Sequence, residues 1–81
     1  MSYKFSTVIE KDENGFFAYC PALRGCQTQG DSLDEVIDNI KEAMELYIET
    51  LSKDELLDCL SKEIITKTLE ISIARAAKVN G

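Results

Sequence analysis

A long amphipathic helix with a marked start is the feature that most constrains this chain. Residues 32–35 read Ser-Leu-Asp-Glu, the spacing of a capping box in which the serine hydroxyl and the glutamate side chain satisfy each other's amides. Apolar residues then recur every three or four positions as far as Leu51, namely Leu33, Val36, Ile37, Ile40, Ala43, Met44, Tyr47, Ile48 and Leu51. The sequence therefore predicts one helix from about Ser32 to Leu51, with a single apolar face that must be buried.

Three short β segments precede this helix. Tyr3–Lys11, Phe16–Cys20 and Cys26–Gln29 are each bounded by turn residues, and the first two are rich in β-branched and aromatic side chains. Asn14-Gly15 predicts a two-residue hairpin turn in which both residues take a positive φ. Pro21 ends the second strand because proline lacks a backbone donor. We expect these segments to form an antiparallel meander.

Two further segments follow the helix. Residues 52–55 repeat the capping signature, and residues 53–61 suit a short helix that either continues the long one or breaks from it. Thr68–Ile73 alternates strictly and predicts a last strand. The order β-β-β-α-β predicts one small α+β domain spanning residues 1–81. A right-handed crossover would return the last strand parallel to strand one, with the helix on one face of the sheet.

The second strand is apolar on both of its faces. Phe17 and Tyr19 point away from the other three residues of that strand, and strand one adds Val8 to their side. A half-solvated strand normally alternates apolar with polar residues, so another chain is expected to cover this face, although a small sheet also tolerates exposed aromatics. We expect Val8, Phe17 and Tyr19 to form a partner or homo-oligomer interface. Arg24, in the following loop, either holds a partner's anionic group or is simply solvated.

Several kinds of catalysis are disfavoured by composition. The chain has no histidine, and its three cysteines form no Cys-x-x-Cys pair, so they are expected to be reduced, buried thiols. Glu10 and Asp12 share a face of strand one, as in a two-metal nuclease, but acids from other elements are not placed to join them. We expect no catalytic residues, no metal and no cofactor.

Negative charge is concentrated in the middle of the chain. Residues 31–63 carry eleven acids against three lysines, within a net charge of −6. Such a segment repels phosphate backbones and attracts basic proteins. No apolar run approaches the roughly 18 residues of a membrane helix, and the N-terminus has no signal-peptide core. We expect a cytoplasmic protein that binds neither nucleic acid directly nor membranes.

Residues 19–35 resemble the signature of the HicB antitoxin family. The residues at matching spacing are Pro21, Gly25, Cys26, Gly30, Ser32 and Glu35, whereas Arg24 stands where a proline is common. The resemblance implies a truncated ribonuclease H-like fold without the catalytic carboxylates. It also implies that the protein neutralises HicA, a small basic RNA-cleaving toxin, by direct contact. Many family members add a C-terminal DNA-binding domain, which the residues after Ile73 are too few to form, so operator binding is not implied.

Two functions remain open from the sequence. One is an antitoxin-like module that binds a small basic toxin, and the other is a stand-alone, self-associating protein with a regulatory or ligand-sensing role. An adjacent reading frame for a basic protein with a candidate catalytic histidine would favour the first. In either case we expect a homo-oligomer, because symmetric assemblies are common and a small sheet leaves unpaired edges.

Overall fold

The computed structural model describes residues 2–74. Its elements are β1 (Val8–Asp12), β2 (Gly15–Tyr19), β3 (Gln27–Gly30), α1 (Leu33–Glu49) and α2 (Lys53–Leu60). The strands form one antiparallel sheet in the order β1-β2-β3, which confirms the α+β class and the predicted meander. Neither of these two helices is long and apolar enough to span a membrane.

The β1–β2 hairpin is shorter than predicted, and its turn has a different conformation. Val8 pairs with Tyr19 at the open end, and residues 3–7 lie beyond the end of β2, so they have no strand to pair with. Within the turn, Gly15 takes a positive φ of +125° and Asn14 does not, so the prediction for Asn14 was wrong. The Asn14 amide instead donates to Asp12 Oδ1 at 2.8 Å, which stabilises the turn through a side chain.

The start of α1 lies directly against β3. Ser32 Oγ accepts a hydrogen bond from the Glu35 amide at 3.1 Å, which is one half of the predicted capping box. At Gly30 an added Cβ would lie only 2.7 Å from the Val36 backbone nitrogen, so no larger residue fits between strand and helix without a shift. The approach of α1 to the sheet therefore depends on a glycine at position 30.

A compact core forms where α1 packs across β3 and β2. Val36 and Ile40 are its helical members, which confirms the centre of the predicted apolar stripe, whereas Leu33 at the start of that stripe is exposed. The remaining buried residues come from β2 and from the loop that leads to β3, and they are Ala18, Cys20, Ala22, Leu23 and Cys26. Most of these side chains are small, which allows α1 to lie close to the sheet.

A break separates α1 from α2, which answers the question that the sequence left open. The C-cap of α1 is Thr50, and α2 begins at its own complete capping box. The Ser52 amide donates to Glu55 Oε1 at 2.8 Å, and the Glu55 amide donates to Ser52 Oγ at 3.1 Å. The Ser52 amide and then its hydroxyl lower the pKa of Glu55 by stabilising the carboxylate. No residue of α2 is fully buried.

Residues 63–74, here called the C-terminal arm, follow α2 without regular structure. The predicted last strand, Thr68–Ile73, lies in this arm and pairs with no strand of the described sheet, so its predicted pairing beside strand one is not formed. Its apolar residues Leu69, Ile71 and Ile73 are 65%, 75% and 63% exposed. Residues 75–81, the end of the predicted tail, lie outside the described part of the chain.

Replacing Ile40 by Asp should reduce the free energy of unfolding by several kcal/mol, because Ile40 is 3% exposed and an unpaired charge would enter the core. Leu46→Asp is the matched control, since Leu46 lies on the same helix and is 58% exposed. Urea titrations of both variants measure the difference. Equal stability of the two variants would contradict the packing of α1.

Candidate functional site

The face of the sheet opposite α1 carries the residues that the sequence selected as an interface. Ala18 is completely buried in the core, so its strand neighbours Phe17 and Tyr19 point to the other face. The register pairs Val8 with Tyr19 and Glu10 with Phe17, and directly paired residues share a face. Val8, Glu10 and Asp12 therefore lie beside the two aromatic rings.

Phe17 and Tyr19 form a contacting aromatic pair. Their ring centroids are 5.9 Å apart with an angle of 38° between the planes, and both side chains are half-buried. With Pro21, Arg24 and Gln27 they line a shallow depression of about 400 Å³. The structure thus brings Phe17, Tyr19 and Arg24 to one place, with Val8 on the adjacent strand.

Carboxylates adjoin this depression on the β1 side. Glu10 and Asp12 are exposed and line a second hollow, of about 310 Å³, that also includes Phe17 and Gln29. Sequence reasoning considered these two acids only as metal ligands and did not place them beside the aromatic pair. Residues 8, 10 and 12 alternate along one strand and therefore share a face. This alternation was the sequence signal that could have placed the two acids beside Val8 and the aromatic pair. We call Val8, Glu10, Asp12, Phe17 and Tyr19 the aromatic–acidic face.

This arrangement suits recognition of a cationic side chain. A guanidinium or ammonium group can lie over the face of an aromatic ring while a carboxylate accepts its hydrogen bonds. Arg24 is exposed at the opposite end of the depression, where it can donate to an acceptor on the same partner. Among residues 2–74, no three His, Cys, Asp or Glu side chains are grouped as metal ligands.

Two of the three cysteines are buried as the sequence predicted, and the third is less buried than expected. Cys20 and Cys26 are buried and unbridged, and Cys59 is partly buried against the core. Burial, with a smaller contribution from Cys20, raises the pKa of Cys26. A raised pKa keeps the thiol protonated and therefore a poor nucleophile near neutral pH.

Cys20 and Cys26 should react with a thiol reagent such as DTNB only when the domain unfolds, because both side chains are buried. In the native protein at pH 7.5 we expect slow modification at these two positions and immediate modification in guanidinium chloride. Mass spectrometry after brief labelling locates the modified residues. Rapid native labelling of Cys26 would contradict the described core.

The described domain thus presents aromatic rings beside carboxylates on one face of a small sheet and one long helix on the other face. A comparison with protein families places this domain in a known class. Residues 5–76 match the model of the HicB_like antitoxin of bacterial toxin–antitoxin systems. Because the match covers most of the chain, the protein belongs to the HicB-like antitoxin family, which confirms the resemblance seen in residues 19–35.

Relatives in bacteria and archaea extend over most or much of the chain. A UPF0150 protein of Helicobacter pylori is 49% identical over 69 residues, which is 85% of this chain and 96% of the relative. The UPF0150 protein ssr1765 of Synechocystis is 40% identical over 72 residues, or 88% of this chain and 90% of the relative. A UPF0150 protein of Archaeoglobus fulgidus is 55% identical over 47 residues, or 57% and 68% of the two chains. No solved structure matches the chain.

Proposed function

We propose that this protein neutralises a small basic RNA-cleaving toxin of the HicA type by binding it directly. Membership of the HicB-like antitoxin family is the observation that carries the proposal. The aromatic–acidic face supplies a surface with suitable chemistry, because its rings and carboxylates complement arginine and lysine side chains. In this proposal the chain acts without catalysis, by covering the toxin surface that cleaves RNA.

Charge favours encounter between the two proteins. The chain has a net charge of −6, and most of the excess acid lies in residues 31–63. A basic partner is attracted over a distance of about one Debye length, roughly 8 Å at physiological ionic strength. Attraction of this kind raises the association rate and selects partners more than it increases final affinity. The partner's approach should therefore slow as salt is added.

The contact itself is assigned to the face opposite α1. Val8, Phe17 and Tyr19 supply apolar area at its centre, and Glu10 and Asp12 pair with basic groups at one side. Arg24 is assigned to the other side, where it donates to a carbonyl or carboxylate of the toxin. The outer face of α1 is acidic as well, but it offers no hollow lined by aromatic rings.

The fold and the cellular location of the protein are also part of the proposed function. The β1-β2-β3-α1 order supports a truncated ribonuclease H-like arrangement, in which a further strand beside β1 would complete the sheet. We treat residues 1–81 as one HicB-like unit. The proposal places the protein in the cytoplasm, where the RNA that such a toxin cleaves is located.

A Glu10→Lys/Phe17→Ser double variant should lose at least tenfold in affinity for the basic protein encoded beside this chain, because it removes a stacking surface and reverses a charge. Isothermal titration with a catalytically inactive form of that partner measures the affinity. RNA cleavage by the active partner, titrated with each variant, measures neutralisation. Glu42→Lys/Leu46→Ser is the matched control, since both residues are exposed on α1.

The control separates two possible surfaces. Loss of binding in the α1 control alone would move the contact to the helix and would refute the assignment of the aromatic–acidic face. If no adjacent basic protein exists and the purified chain inhibits no RNA-cleaving partner, the antitoxin role itself is refuted. The stand-alone, self-associating function would then be the better description.

Purified protein should not cleave RNA or DNA with magnesium or manganese. Glu10 and Asp12 are exposed on a single strand, and the described residues bring no third metal-ligating side chain to them. A fluorescence assay with single- and double-stranded substrates measures cleavage. Activity that disappears in Glu10→Gln or Asp12→Asn would contradict this prediction.

A further inference from the structure

The C-terminal arm has the sequence of a strand but pairs with none of the three strands of the described sheet. Leu69, Ile71 and Ile73 alternate with polar residues, so an extended arm would present them on one side. They are among the most exposed large apolar side chains of the described chain, together with Ile65 at 77%. Residues 63–74 also make no backbone–backbone hydrogen bond to any other residue in the range 2–74. Such a segment gains both apolar burial and hydrogen bonds by joining a sheet.

One edge of the sheet is obstructed at one of its backbone carbonyls. The Cys20 amide donates to the Cys26 carbonyl at 3.1 Å, so these two residues form a hydrogen-bonded pair. Hydrogen-bonded and non-hydrogen-bonded pairs alternate along an antiparallel ladder, which makes Phe17 and Gln29 a non-hydrogen-bonded pair. The Gln29 carbonyl therefore points away from β2. Asn39 Nδ2, from α1, donates to that carbonyl at 2.9 Å. A strand that added to β3 would have to displace this side chain. The β3 edge is therefore a poor place for the arm.

The β1 edge pairs with no other strand among residues 2–74, and the same alternation shows which of its backbone groups are available. The backbone amide and carbonyl groups of Ala18 and Cys20 point toward β3. Those of Phe17 and Tyr19 therefore point toward β1, where their partners are Glu10 and Val8. The backbone groups of Ile9 and Lys11 then point outward from the sheet. These backbone groups lie along the β1 edge of the sheet, which α1 leaves uncovered because it packs on β2 and β3.

An apolar groove runs beside this open edge on the α1 side. Its volume is about 350 Å³, and its lining includes Phe5, Ile9, Ile37 and Met44. Ile9 is 38% exposed there, although it belongs to a strand of the sheet. A strand added along β1 would place alternate side chains over this groove, as Ile9 is placed from β1 itself. Leu69, Ile71 and Ile73 have the required spacing and chemistry.

The chain's own shape indicates which molecule supplies the arm. The radius of gyration is 16.4 Å and the longest dimension is 51 Å, whereas a compact domain of this length has a radius of gyration of about 11–12 Å. α2 starts separately at Ser52 and packs against the core through Cys59, whereas Leu69, Ile71 and Ile73 of the arm that follows it are largely exposed. We propose that two copies of this chain exchange C-terminal arms, each arm forming a fourth strand on β1 of its partner and filling the partner's groove.

The exchange is tested in the full-length protein by light scattering coupled to gel filtration at high micromolar concentration. The wild type should have a mass of about 18 kDa, twice the 9.1 kDa of one chain. Leu69→Asp/Ile71→Asp should be a monomer with an unchanged core, since neither residue contacts it. Thr68→Asp/Ser72→Asp, on the other side of the same arm, is the matched control and should remain dimeric.

Isotope labelling identifies whose arm fills the groove. In a mixture of methyl-labelled and unlabelled chains, we expect intermolecular contacts between the Ile71 and Met44 methyl groups. Contacts within one chain only, a monomeric wild type, or a dimeric Leu69→Asp/Ile71→Asp variant would each overturn the proposal. So would a wild-type dimer that only Phe17→Ser/Tyr19→Ser converts to monomer, because the interface would then be the aromatic–acidic face. None of these results depends on whether a toxin partner is found.

Discussion

The rest of the domain depends on the close approach of α1 to the glycine at position 30. The helix backbone at Val36 lies so near this residue that even a methyl group would meet it at 2.7 Å. Because the first turn of α1 sits on the end of β3, its buried side chains fall over β3 and β2 rather than over β1. The same placement leaves one side of β1 with a groove and the opposite face of the sheet without a helix. Both proposed binding surfaces thus follow from one contact.

Local patterns were sufficient to predict α1 and the hairpin, and they left open whether α2 is separate from α1. The periodicity of α1 and the serine that caps it are properties of neighbouring residues, so the helix was found with bounds close to those observed. The hairpin was also recognisable, although the turn uses an Asp12 side-chain bond and one positive φ in place of two. The strict alternation of Thr68–Ile73 predicted a strand, and the structure has no strand over these residues. Alternation does not specify a partner strand, which is why the predicted pairing failed within the single chain.

The candidate site was predictable in part for the same reason. Because β2 does not alternate apolar with polar residues, Phe17 and Tyr19 could be selected as interface residues. The alternation of side chains along β1 added Val8, and neither step required the register of the strands. The association of Glu10 with Phe17 depends on register, which follows only when the turn residues of the hairpin are placed. The nearness of Arg24 to the rings depends on the path of the loop after Pro21, and no periodic pattern encodes that path.

The hydrogen bond from Asn39 to the Gln29 carbonyl also has a consequence for solubility at high concentration. Fibres that grow by edge-to-edge strand pairing need two receptive edges on every subunit, one for each neighbour. A sheet with one edge obstructed by a side chain from its own helix is joined more readily at the other edge. An alternating apolar arm on a sheet open at both edges would favour unlimited growth. If the proposed exchange of arms occurs, the Asn39 amide would favour an assembly of limited size over such growth.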